Sequence, residues 1–160
     1  MKTFEECINI LGCSPTDDRI SQWLNSLDIS ERPVYEDAPV KWLSHTNTGL
    51  TFMFEGRVGY EETYGNSKAK STDTMVLKGL RFYGPMNSDS FKGYKGKLLF
   101  NLDFQCDLKK FKDKLGKEDR EGGISKKILV WKDIQALEVS IVLTKDQGNI
   151  EYIDISPSRK

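Results

Sequence analysis

Histidine is nearly missing from this chain: among 160 residues there is one, His45. Three cysteines, Cys7, Cys13 and Cys106, are present, with no CxxC spacing among them. A Cys/His zinc site is therefore not expected, and neither is a paired disulfide framework. The odd cysteine count reads as reduced, partly buried thiols in a reducing compartment. Long apolar runs are also missing, and nothing approaches the ~20 residues that a membrane helix needs. The opening "MKTFEECINILGC" has one early Lys followed by two Glu and no extended apolar region, so it does not read as a secretory signal. The expectation is a cytoplasmic chain with no membrane partner.

Catalytic signatures are absent as well. There is no GxSxG motif, no P-loop and no dinucleotide fingerprint, and "GYKGK" is too short and lacks the framing of one. His45, in "SHTNTG", has no nucleophile motif to serve. The acidic pairs Asp17–Asp18, Glu36–Asp37 and Glu61–Glu62 are adjacent in sequence. Helix starts and loops account for them better than a glycosidase pair does. No catalytic residue, metal ligand or cofactor is assigned, and the chain reads as a non-enzyme.

Net charge is zero, yet the charge is unevenly spread. Residues 1–67 hold 5 Lys/Arg against 11 Asp/Glu, whereas residues 68–132 hold 16 against 8. An acidic first part and a basic middle can steer a charged partner. With 38% hydrophobic and 30% charged residues, the chain reads as a folded domain and not as a disordered one. Its length suits one domain over 1–160.

Periodicity places the elements. "TFEECINILG" carries a capping box at Thr3 and Glu6, an apolar stripe at Phe4, Cys7, Ile8 and Leu11, and a stop at Gly12. Ser14 then reads as the N-cap of a second helix running from about Pro15 to Leu27, with Ile20, Trp23, Leu24 and Leu27 inward. "VKWLSH", "GLTFMFEG" and "MVLKGLRFYG" read as strands. "VGYEETYGNSKAKSTDT" reads as a long loop or mobile hairpin tip. "KLLFNLDFQC" reads as the clearest strand, Asp107 caps a helix over "LKKFKDKLG", and "KILVWK" precedes a final hairpin turning at "KDQGN".

The two halves repeat an order. Leu27 precedes Trp42 by 15 residues and Leu115 precedes Trp131 by 16; Trp42 precedes Leu50 by 8, as Trp131 precedes Val139. This predicts an α+β fold of tandem α–βββ units, residues about 14–84 and about 107–156, joined by a linking strand at about 97–106. They would form an antiparallel sheet with helices packed on one face. Trp42 and Trp131 become equivalent positions, serving packing.

A helix-turn-helix is the rival reading of "LGCSPTDDRISQWLNSLD". Its second helix opens with Thr16, Asp17 and Asp18, which phosphates repel, where a recognition helix presents Arg, Lys, Asn or Gln. Phe91, Lys92, Tyr94, Lys95 and Lys97 form an aromatic–basic mixture that keeps nucleic-acid binding as an alternative. A sequence pI of about 6.6 weighs against it.

"GCSPTDDRISQWLNSLD", "KWL", "GLTFMFEG" and "LKGLRFYG", followed by "CDLKKFKDKLG", "ILVWKD", "LEVSIVL" and "IEYIDI", resemble the tandem repeats of beta-lactamase-inhibitor-like and SmpA/OmlA-like proteins. The same pattern is similar to small immunity proteins of bacterial polymorphic toxins and contact-dependent growth inhibition systems. It covers roughly residues 3–155 and rests on pattern. The resemblance implies a non-enzymatic protein that binds a cognate protein toxin and blocks its active site. A nuclease toxin has a basic cleft, which an acidic face would meet. The residues expected on that face are Glu36, Asp37, Glu55, Glu61 and Glu62, with Tyr60 and Tyr64 as aromatic anchors. A generic interaction module of the same fold is the alternative, and the basic face could equally meet an acidic partner.

Overall fold

Six strands rich in apolar residues and one short charged strand pair into a single antiparallel sheet. The computed structural model describes every residue, Met1–Lys160. The strands are β1 (Val40–His45), β2 (Leu50–Gly56), β3 (Met75–Tyr83), β4 (Arg120–Gly122), β5 (Ile128–Ile134), β6 (Leu137–Leu143) and β7 (Ile150–Pro157). Their spatial order is β1-β2-β3-β7-β6-β5-β4. β3 and β7 meet at the centre, with Leu80 opposite Ile155 and Phe82 opposite Ile153.

Four helices accompany the sheet: α1 (Phe4–Asn9), α2 (Asp18–Ser26), α3 (Arg57–Tyr64) and α4 (Leu108–Leu115). The main core joins Phe4 and Cys7 of α1, Ile20, Trp23 and Leu24 of α2, and Phe111 and Leu115 of α4 to one sheet face. That face presents Phe52, Phe54, Leu80, Phe82, Val139, Ile141, Ile153 and Ile155. Burying one such side chain contributes about 1.5–3 kcal/mol. The apolar stripe of α2 points inward, so its job is packing.

Local chemistry sets the helix ends. The Thr3–Glu6 capping box forms as its spacing predicts. Asp107 caps α4 and Gly116 ends it. α2 begins later than expected: Asp17, not Ser14, is its N-cap, accepting from Arg19 N–H at 3.0 Å. The Ser14 hydroxyl is instead drawn to Asp73, across the chain. Gly12 has φ +82°, and a Cβ there would lie 2.2 Å from the Lys68 carbonyl oxygen. Glycine thus lets Gly12 and Cys13 pair with Leu77 on the side of β3 that β7 leaves free.

Four expectations are corrected. "KLLFNLDFQC" is not a linking strand: it holds a 3-10 turn at Leu99–Asn101, with Phe100 and Asn101 at φ +53° and +58°. Because β3 and β7 pair directly, the sheet has no slot for another strand between them. Leu98, Leu99 and Leu102 plug the core instead. The stretch "VGYEETYG" is no loop, since Arg57–Tyr64 is helical. Its Tyr60 and Tyr64 pack with Val76, apart from the main core. Val76 alternates with the inward Met75 and Leu77, so α3 sits on the opposite sheet face from the other helices. Finally, Trp131 faces the core and donates Nε1–H to Gly116 O at 3.0 Å, whereas at β1 Leu43 faces the core and Trp42 faces out. The two tryptophans are not equivalent in facing.

Candidate functional site

β1 is one edge of the sheet, and its register decides what that edge offers. Gly56 N–H donates to Pro39 O at 3.0 Å, and Val40 lies opposite Glu55. Bonded and non-bonded pairs alternate in an antiparallel ladder. Lys41, Leu43 and His45 therefore aim their backbone groups at β2, while Val40, Trp42 and Ser44 aim theirs away from the sheet. No backbone bond from any other segment reaches those three residues. The opposite edge differs. β4 is three residues long, wholly exposed, and carries Arg120 and Glu121, the latter paired with Lys127 at 2.7 Å. A short, charged edge resists further pairing. β1 is twice as long and presents Val40 and Trp42.

Five of the exposed large apolar side chains cluster in sequence around this edge: Val34 (45% exposed), Tyr35 (49%), Val40 (50%), Trp42 (49%) and Val58 (64%). The turn before β1 folds back, so that the Tyr35 ring lies 2.6 Å from where a Cβ on Gly56 would stand. Only glycine permits that contact. It brings Tyr35 to the point where β2 ends and α3, with Val58, begins.

Trp42 is held from below. The Arg81 guanidinium lies 4.9 Å from its ring centroid and 3.8 Å from that of Tyr152. Arg81 is itself clamped by Asp154 through two bonds of 2.7 and 2.9 Å. Burial works against the Arg81 charge, but the Asp154 carboxylate outweighs it and raises the Arg81 pKa above normal. The cation thus lies against the indole of the half-exposed Trp42.

The acidic residues expected at a binding face separate into two groups. Glu36 and Asp37 are exposed in the turn preceding β1, Glu62 is exposed on α3, and none of the three has an ion-pair partner within 4.0 Å. Glu61 pairs with Arg57 at 2.8 Å. Glu55 approaches Lys78 at 4.0 Å, and its Oε2 is buried without a hydrogen bond. Tyr60 and Tyr64 are interior, with ring centroids 4.8 Å apart. Burial pushes the Tyr60 phenol up. These two tyrosines anchor α3 to the sheet and offer no exposed ring to a partner. Sequence reasoning missed Tyr35, Val40, Trp42 and Val58. The alternation in "VKWLSH" could have signalled Val40 and Trp42, but it does not say which set faces the helices.

A second polar cluster lies at the far end of β7. Glu151 is 1% exposed; its Oε1 accepts from Ser88 N–H (2.9 Å), Ser88 Oγ (2.6 Å) and Lys126 Nζ (2.7 Å), while Oε2 is buried without a partner. Burial pushes this carboxyl up, and the bonds from Lys126 and Ser88 outweigh it, leaving its pKa below the usual value. Lys126 also donates to Ser88 Oγ at 2.8 Å. Asp146 is taken up by Thr144 Oγ1 (2.6 Å) and Gly148 N–H (3.0 Å). The Ser88 hydroxyl and the Lys126 ammonium both donate to the same Glu151 oxygen. The cluster ties the 85–91 loop and Lys126 to β7.

Comparison with family models, with curated proteins and with solved structures returns no match for this chain.

Proposed function

We propose that this chain is a non-enzymatic immunity-type protein, acting in the cytoplasm, that binds a cognate protein toxin and covers its active site, with a nuclease as the favoured target. The observation that carries the reading is the set of exposed apolar side chains on β1 and in the segments flanking it, Trp42 among them with Arg81 against its ring, together with the exposed and unpaired Glu36 and Asp37 before β1 and Glu62 on α3. Aromatic anchors dominate protein interfaces. The nearby cations Lys41, Arg57 and Lys78 each have an acidic partner, and Arg32, held by Ser21, Asn25 and backbone carbonyls, has none, so the three unpaired carboxylates outnumber the one unpaired cation. A basic nuclease cleft would complement that acidic excess and associate faster for it.

The test is co-expression with the toxin domain encoded beside this chain. Co-purification in a stable complex and rescue of growth are expected. A toxin that kills equally with and without this chain would remove the reading.

A further inference from the structure

We infer that the cleft between α1, α2 and the β1–β2 turn binds a small amphipathic anion, an apolar body of one or two rings that carries one carboxylate. The site is separate from the surface proposed above to bind a toxin. It opens on the sheet face that α1 and α2 cover, whereas Trp42 faces the other way.

Three observations converge. First, the cleft has the size and walls of a small-molecule site. Its volume is about 610 Å³, and such sites occupy about 300–1,000 Å³. Trp23, Leu27, Leu50 and Tyr94 give it apolar walls. Core rings fix both aromatics: Trp23 meets Phe52 edge-on and Tyr94 meets Phe82 edge-on, each with centroids 4.8 Å apart.

Second, these two aromatic side chains carry donors that the protein leaves unused. Trp23 and Tyr94 are 8% and 6% exposed. Trp131 gives its indole N–H to Gly116 O, whereas Trp23 Nε1–H and the Tyr94 hydroxyl bond to no protein group. The side-chain atoms sealed away without a partner are Glu55 Oε2 and Glu151 Oε2, so both of these donors still reach solvent, on the wall of the cleft. An acceptor on a ligand takes the place of water there.

Third, charge selects the sign. Lys2 and Lys95 line the cleft and neither has an ion-pair partner; Lys2 Nζ stands 5.7 Å from the Trp23 ring centroid. Glu6 is the one acid on the wall, and its carboxylate is taken up by Thr3 N–H at 2.7 Å in the α1 capping box. Two ammonium groups beside an N–H and an O–H donor match a carboxylate. A cationic ligand would be repelled by both lysines, and a neutral one would leave their charge unused.

The test titrates the full chain with naphthaleneacetate. Three controls accompany it. Naphthylethanol and naphthylethylamine keep the rings and change the charge, and acetate keeps the charge without the rings. Binding is read by calorimetry and by the NMR signal of the Trp23 indole N–H, assigned through its loss in Trp23→Phe. Naphthaleneacetate should shift that signal saturably, and each control should bind more weakly by about tenfold or more. Lys2→Gln with Lys95→Gln should weaken binding of naphthaleneacetate about tenfold and leave the urea midpoint unchanged, since neither lysine is ion-paired. Lys110→Gln with Lys114→Gln removes two unpaired charges from α4, outside the cleft, and should leave binding as it is. No shift at the Trp23 N–H, equal binding of the alcohol or the amine, or equal weakening by the α4 pair would each overturn the inference. Toxin neutralisation stands or falls separately, because it rests on the opposite sheet face.

Discussion

Single residues show where reading a sequence stops. Glu151 is one acid among 24 in the sequence, and nothing in its neighbourhood "GNIEYID" announces a buried carboxylate. Its role depends on Ser88 and Lys126, 63 and 25 residues away. Glu151→Gln should cost about 2–3 kcal/mol, because it leaves the Lys126 ammonium without its counter-charge in a largely covered site. Urea unfolding near neutral pH reads that loss. The folded carboxyl titrates below its ordinary 4.5, so its stabilisation is complete above that value and is lost as pH falls through the lowered one. The gap between the parent and Glu151→Gln should therefore narrow below about pH 4.5 and stay constant above it. Trp42 shows the same dependence on distant partners. Arg81→Lys keeps the charge but gives up the two-bond clamp on Asp154 that holds the cation against the indole. Trp42 fluorescence should become more quenchable by iodide, while the buried Trp23 and Trp131 stay protected.

At the scale of elements, the sequence is most legible where one side-chain period faces one core. α1, α4 and the strand pairs β1–β2 and β6–β7 follow their apolar patterns closely, and the turn at "KDQGN" falls where its chemistry puts it. Two elements escape that logic. α3 has no apolar face of the usual kind, and two tyrosines one turn apart do the packing. The 97–106 stretch has a clean strand alternation, but β3 and β7 pair directly and leave it no place between them, so tertiary context overrides its local preference. Tyr64→Ala should cost about 3 kcal/mol and selectively loosen α3. Hydrogen exchange should then accelerate across Arg57–Tyr64 and leave β6 and β7 unchanged. The site followed the same division. The acidic turn at Glu36–Asp37 and Glu62 was legible as charge, whereas the apolar partners of that charge were not, because facing is set by register.

On the whole molecule, β3 and β7 join two antiparallel sets, β1–β2–β3 and β5–β6–β7, each preceded by a helix on the main-core face. The sets differ in their additions: α3 follows β2, β4 extends the other edge, and the two tryptophans face opposite ways. These differences leave one edge closed and one open, with unpaired carboxylates near the open one. Long-range steering follows from that placement. Replacing Glu36 and Asp37 with Lys should slow association with a basic toxin by about tenfold at low salt. The difference should shrink as salt screens it, and the dissociation rate should change little. Stopped-flow association at several ionic strengths measures both.

The central claim is that the surface around β1 is where this chain binds its partner. The most direct measurement is the Kd of the neighbouring toxin domain for the chain carrying Tyr35→Ala and Trp42→Ala together, with unfolding followed in parallel. Both rings are half exposed, so stability should move by less than about 1 kcal/mol. If they are the anchors, Kd should weaken by at least a hundredfold, about 2.7 kcal/mol. An unchanged Kd for the folded double variant would contradict the account.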